Sequence, residues 1–347
     1  MSASLLDAVH RYPPSERPAL TGQLAEWTTT QPLAGVSVLS ATPVFHNTLA
    51  AHHVLLSAGA ELTVGVAPEL PHDSEAIAVL QDAGVPVVDP TTASQRTFDV
   101  VTDCAGVFRR SASRCGYVEL TKSGATHYRD SSAPVVLADA GRVKRIETEL
   151  GTSDGFMRAL THFGYPDVAG RQLVVFGGGK VGSGIARRCR SAGAQVVVID
   201  HSGPAAPAEG WQTVDLADTD GVRSSITAAW CIVTATGESN ALDQWAPDLL
   251  DSSALLTNMG VADEFGPAVP ADRVLHGKVP LNFVLTEPTR MRYLDPILAL
   301  VNAATVALAT GSVPPGMHPP ATDMEDLILS FLAGNAVARE AQGLLQN

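Results

Sequence analysis

Short apolar runs separated by amphipathic stretches and punctuated by glycine recur along the whole chain. Residues 1–30 read as one or two amphipathic helices broken at Pro13-Pro14. A strand over 36–39, a helix over 46–58 stopped by Gly59 and a strand over 61–66 follow. A helix over 76–83, strands over 85–88 and 100–102, and a last strand over 135–138 complete this stretch, ahead of a charged helix around Lys144. A second alternation starts at Gln172, with strand LVVFG, loop GGKVGSG, helix IARRCRSAG and strand QVVVID. Later strands are predicted over 230–234, 254–258 and 279–283. The segment 294–310 is apolar nearly all round, which predicts a helix buried between layers. Residues 323–345 read as one more helix. Strands alternating with helices predict the α/β class, with two doubly wound parallel-sheet domains. The expected division is 1–150, completed by helices from 290–347, and 151–289, with crossings near Gly151 and near Pro288 to Arg290.

Composition narrows the functional classes. A chain of 347 residues that is 45% apolar can build two cores, and 17% charged residues leave little room for disordered tracts. The net charge of −13 speaks against nucleic-acid partners and anionic membrane surfaces, because both need a basic face. No signal-peptide design and no apolar run of transmembrane length are read in the sequence, so a cytoplasmic protein is expected. Cys104, Cys115, Cys189 and Cys231 show no paired short spacing, which predicts neither a zinc site nor a disulfide framework; no metal is expected.

The sharpest motif is Gly177-Gly178-Gly179-Lys180-Val181-Gly182, set between a strand and a helix, with Gly184 close behind. Glycine there permits a tight turn, close approach of backbone to a pyrophosphate, and packing of helix on strand. The helix N-terminus adds N–H donors and a positive dipole end. Asp200 closes the next strand, where a carboxylate accepts ribose hydroxyls and repels a 2′-phosphate. His201 and Ser202 follow with no arginine, so the reading is an NAD-binding Rossmann domain rather than an NADP one. A nucleotide-free Rossmann-like domain and an S-adenosylmethionine site are the alternatives.

The order of motifs resembles S-adenosylhomocysteine hydrolase (adenosylhomocysteinase) from about residue 47 to about 305. The carriers are NTLAAHHVLLSAGAELTV, DCAG at 103–106, GYVELTKSG at 116–124, IETELGT at 146–152, GGGKVGSG, TATG at 234–237, NMGVAD at 258–263 and LNF at 281–283. In that family bound NAD oxidises a ribose hydroxyl transiently, and the neighbouring acidified C–H permits elimination of a thiol and addition of water. The resemblance implies that Thr121, Ser123, Asp200, Asn258 and Asn282 touch NAD, and that Thr234, Thr236 and Gly260 belong to its loops. It also points to Lys144, with Glu147 in place of an aspartate, beside the reacting hydroxyl. A buried lysine whose pKa is lowered can act as a base; the same residues equally fit a solvated helix face. Asp103 of the acidic turn and His46 complete the catalytic candidates. The resemblance further implies a homo-oligomer, in the simplest case a homodimer.

Departures fall on the substrate side. Pro43 stands where the family has an early histidine, Cys104 replaces an aspartate, Leu120 a glutamate and Val261 a histidine. A later family histidine falls near Thr289, and a cysteine is Thr152. The family's C-terminal tail has no counterpart before Asn347. Arg290 and Arg292 are new polar groups, suited either to a substrate carboxylate or phosphate or to surface ion pairs. The expectation is therefore an NAD-dependent oxidoreductase-type enzyme taking hydride from a secondary alcohol or amine carbon of a small substrate other than S-adenosylhomocysteine. A nucleoside-thioether hydrolase and a catalytically inactive NAD-binding regulator are the competing readings.

Overall fold

The structure, a computed structural model, describes residues 2–201 and 210–345. These form two compact units: residues up to Glu147 together with those from Arg290 onward, and Thr148–Thr289.

In the first unit β1 (Ser37–Ser40), β2 (Glu61–Gly65), β3 (Val87–Val88), β4 (Thr97–Asp103), β5 (Ala112–Glu119) and β6 (Pro134–Leu137) are joined by β13 (Gly316–His318). The seven strands lie in the order β13-β6-β5-β4-β1-β2-β3, and all pairings are parallel. The expected last strand over 135–138 is thus not the last. β13 returns after a long helix and pairs with β6, a contact that three residues of GMH do not advertise by alternation. β5 and the helix Lys122–Tyr128 also escaped the pattern, because glycine and charged residues interrupt ASRCGYVE. The expected charged helix around Lys144 is a π-helix, Ile146–Gly151, running into Thr152–His162. The tail is two helices, Thr322–Phe331 and Ala336–Ala341, since Gly334 takes φ +81° and Asn335 caps a new start.

The second unit contains β7 (Gln172–Phe176), β8 (Gln195–Asp200), β9 (Gln212–Asp215), β10 (Cys231–Thr234), β11 (Leu255–Asn258) and β12 (Val274–Leu275). Their order is β12-β11-β10-β7-β8-β9, all parallel, which is the doubly wound Rossmann order with the switch point between β7 and β10. The first unit repeats this order with its own switch point between β1 and β4 and one extra edge strand. Residues 279–283, expected as a strand, are instead a turn leading into the 3-10 helix Leu281–Val284; Pro280 lacks the N–H a ladder needs. All four cysteines are free.

Helix Met291–Ala309 reaches membrane-spanning length at a mean hydropathy of 1.2, contrary to the sequence reading, but 72% of that window is buried inside the protein. It lies against β4, β5 and the helices Pro18–Thr30 and Leu49–Ser57. Its buried Asp295 gives this packing direction. Helix Pro18–Thr30 has no side-chain cap of its own, and Asp295 accepts the N–H groups of Ala19 and Leu20, each at 2.9 Å. Burial pushes the Asp295 carboxyl up to about 7, against the pull of those two N–H groups and Arg17.

A carboxyl whose folded pKa lies above its unfolded value holds its proton longer when native, so its contribution to stability falls as pH rises from about 4 to about 7. His52 acts in the opposite sense, since burial lowers it to about 4. The difference between wild type and Asp295→Asn isolates the carboxyl. Urea midpoints measured from pH 4 to pH 8 should converge towards the alkaline end, with the wild type losing more stability than the variant across the window. Parallel curves for the two proteins would contradict this assignment.

Candidate functional site

The second unit builds its loop from glycines, several of which have no room for a side chain. β7 ends at Gly177, whose φ is +99° and whose N–H reaches the Ile199 carbonyl at 2.8 Å. A Cβ at Gly177 would lie 2.4 Å from the Ala235 carbonyl oxygen, and one at Gly182 would lie 1.9 Å from the Gly177 oxygen. Gly184 is held equally close, 2.3 Å from the Glu149 oxygen. Helix Lys180–Ser191 starts at Lys180, earlier than the apolar pattern indicated, and Gly179 precedes it without a side-chain cap. A Cβ at Gly179 would meet nothing within 4 Å, so the space at this helix start is open. An uncapped helix end beside open space is what a phosphate group requires. Half-buried Asp200 accepts the Gly178 N–H at 2.6 Å through Oδ2 and the His201 N–H at 2.6 Å through Oδ1, which fixes it at the loop's edge. The neighbouring Ser202 lies outside the described residues. Lys180 and Val181 sit in the first turn, half-buried.

Asn258 departs from its expected role. Its side chain is fully buried, and its amide nitrogen donates to the carbonyls of Gly260, Ala262 and Lys278. Its Oδ1 accepts from Thr234 Oγ1 at 2.8 Å and from the Gly260 N–H at 3.0 Å. With every polar valence engaged, Asn258 and Thr234 tie loops together rather than offering contacts to a ligand. Glu264 accepts the Thr236 N–H through Oε2 at 2.8 Å and the Gly237 N–H through Oε1 at 2.7 Å. Glu264 is fully buried, and its Oε1 lies 1.8 Å from where a Cβ on Gly260 would be. Sequence reasoning missed Glu264; the only signal was an acidic residue beside the Asn-Met-Gly turn. Asn282 is buried in the 3-10 helix, with its Cβ 3.1 Å from the place a Cβ on Gly155 would take.

In the first unit the turn after β4 carries the acidic corner. Asp103 is fully buried and accepts the N–H groups of Cys104 and Phe108 and, at 2.6 Å, the Tyr128 hydroxyl. Glu119, at the end of β5, accepts from the N–H groups of Ala105, Gly106 and Thr121 and from Thr121 Oγ1 at 2.6 Å. Burial raises Asp103 and pushes Glu119 up to about 7. Thr121 caps helix Lys122–Tyr128, and Ser123 Oγ donates to its hydroxyl at 3.2 Å. Asp103 and Thr121 are thus held in turn geometry, and Glu119, also missed from sequence, is the group that joins them.

Buried Lys144 and half-buried Glu147 come together as an ion pair, Nζ to Oε2 at 2.7 Å. Burial alone would lower the Lys144 pKa, but Glu147, with Asp139 and Cys104, carries it above its ordinary value. The condition on which Lys144 could serve as a base, a pKa lowered by burial, is not met: its acidic neighbours keep it an ammonium. Burial and Glu119 hold the nearby Cys104 thiol up to about 12, so it stays protonated. His46 faces elsewhere, its Nε2 3.6 Å from Glu75 and 4.0 Å from Asp73. Arg290 is exposed before helix Met291–Ala309, and Arg292 lies over the Tyr293 ring, donating to its hydroxyl at 2.9 Å.

Comparison with known proteins agrees with this geometry. Residues 165–265 match a family described as putative NAD(P)-binding. The adenosylhomocysteinase of Aeropyrum pernix is 28% identical over 264 residues, 66% of this chain and 61% of that protein. The adenosylhomocysteinase of Sulfurisphaera tokodaii is 33% identical over 117 residues, 33% of this chain and 26% of that protein. The chain therefore spans less than two thirds of the length of these relatives. Among solved structures, a dipicolinate synthase chain from Bacillus halodurans shares the fold, with a TM-score of 0.51 at 15% identity, covering 79% of this chain and 99% of that one. The chain is thus similar to adenosylhomocysteinases at low identity, and its second unit is an NAD-binding Rossmann domain.

Proposed function

We propose that the protein is an NAD-dependent oxidoreductase-type enzyme acting on a secondary alcohol or amine carbon of a small substrate other than S-adenosylhomocysteine. The observation that carries this reading is the ion pair of buried Lys144 with Glu147 beside Cys104, in a chain whose nucleotide loop is complete. Gly177, Gly179, Gly182 and the uncapped helix start would hold the pyrophosphate, and Asp200 the adenosine ribose. Bound NAD supplies the hydride acceptor. The Lys144 ammonium donates a hydrogen bond to the substrate oxygen and favours its anionic form, while the Glu147 carboxylate receives the departing proton. Loss of that proton and of hydride leaves a carbonyl or imine.

The hydrolase reading is favoured by the Aeropyrum relative. Against it stand the groups at the positions where that chemistry needs proton carriers. Pro43 has no proton to give, Cys104 is held as a neutral thiol, Leu120 is apolar, and Val261 is 82% exposed with no imidazole.

Calorimetric titration should give NAD an affinity at least about tenfold above that for NADP, with Asp200→Ala narrowing the gap. Tighter binding of NADP by the native protein would reject the assignment of Asp200.

S-adenosylhomocysteine incubated with the NAD-loaded protein should yield no adenosine by chromatography. Secondary alcohols and amines screened by NADH absorbance should include one that is oxidised, and Lys144→Met should slow that oxidation by roughly a hundredfold or more without collapse of the melting transition. Adenosine release by the wild type would install the hydrolase reading instead.

A further inference from the structure

Three loops leave the C-terminal ends of adjacent strands in the second unit, after β10, β11 and β12, and one residue ties two of them together. His276, Gly277 and Lys278 all have positive φ, at 61°, 61° and 70°. Three consecutive left-handed residues, two of them not glycine, form a conformation that L-amino acids resist and that persists only where its surroundings determine it. The surroundings here are specific. The Lys278 side chain is 12% exposed, and Nζ donates to Asp263 Oδ2 at 2.8 Å and to the Gly266 carbonyl at 2.7 Å. Its own carbonyl accepts from buried Asn258, the residue that also binds Thr234, Gly260 and Ala262. Asp263 holds the far side of the loop through Oδ1, which accepts the N–H groups of Phe265 and Gly266. Directly beyond the strained turn come Val279, Pro280 and the 3-10 helix that carries Asn282.

We infer that Lys278 is a positioning residue for the cofactor. Its ammonium latches a strained left-handed turn to the loop after β11, and this latch fixes the segment bearing Asn282 at the C-terminal strand-end face that also carries the glycine loop, the face on which a doubly wound sheet binds a dinucleotide. The inference rests on the NAD reading above. A lysine serving only surface electrostatics would need neither the strained backbone nor two acceptors within 2.8 Å.

Three substitutions separate latch from strain. Lys278→Arg keeps a cation that can reach Asp263. Lys278→Met keeps the strained backbone and removes the cation. Lys278→Gly removes both the cation and the strain. Each protein is titrated with NADH by fluorescence, the emission of the bound nucleotide is recorded, and melting is measured in parallel. Lys278→Arg should bind NADH within about twofold of wild type with the same emission. Lys278→Met should bind about tenfold more weakly, with emission moved towards that of free NADH. Lys278→Gly should share the binding defect while melting no lower than Lys278→Met. Asp263→Asn removes the acceptor Oδ2 and keeps Oδ1, so it should reproduce the defect if Lys278→Met yields no folded protein. Wild-type affinity and emission in Lys278→Met, or in Asp263→Asn when it stands in for it, would overturn the proposal, as would failure of Lys278→Arg to preserve binding. If the wild type itself binds no NADH, the NAD reading falls and takes this inference with it, an outcome distinct from selective loss or retention in the variants.

Discussion

Where a parallel strand leaves its sheet, the loop that follows carries backbone N–H groups with no ladder partner, and in this chain buried carboxylates accept them. Asp103 and Glu119 do so after β4 and β5, Glu264 does so for the loop after β10, and Asp200 ties the glycine loop after β7. Asp295 applies the same solution to a helix, supplying from a distant part of the sequence the cap that Arg17 does not provide. A carboxylate has two oxygens and can therefore hold two stretches of backbone at once. Glu119 illustrates this best: its oxygens meet Ala105 and Gly106 from one strand's end and Thr121 from its own. The shape of both strand-end faces depends on these acceptors staying dry and in place.

Their burial also sets the electrostatics of the first unit. Without water, a carboxyl holds its proton more tightly, which moves Glu119 and Asp295 to about 7. Lys144 follows the opposite outcome from the same environment, because a partner at 2.7 Å outweighs desolvation. The outcome thus depends on whether the charges nearby together outweigh the burial that acts on every one of these groups. At Cys104 burial and Glu119 outweigh the pull of Lys144 and keep the thiol neutral.

The glycine loop, its strand and Asp200 were legible in the sequence because their chemistry is local: Gly177 and Gly182 are each required by an atom a few residues away or at the end of a neighbouring strand. Most strands were legible for a similar reason, since a parallel strand buried on both faces is a short β-branched run. β12 and β13 were not, being two and three residues long and defined by partners remote in sequence. The asparagine at 258 was legible as important and misread in purpose, because residue type alone does not say whether an amide faces a ligand or three carbonyls. Lys144 was legible as a candidate, but its protonation followed from a side-chain distance that spacing on a helix does not fix, the more so where the helix is a π-turn.

What the chain keeps and what it replaces divide along the same line. The carboxylates retained from the acidic turns, Asp103 and Glu119, are those bonded to backbone, and removing either would leave several buried N–H groups unsatisfied. Cys104 and Leu120 stand directly beside them, at positions where the side chain is not part of that bonding. A strand-end loop can therefore exchange its outward groups without disturbing the acceptors that shape it. This is a physical route by which a doubly wound fold can keep the shape of its nucleotide loop while the outward groups of its other strand-end loops change.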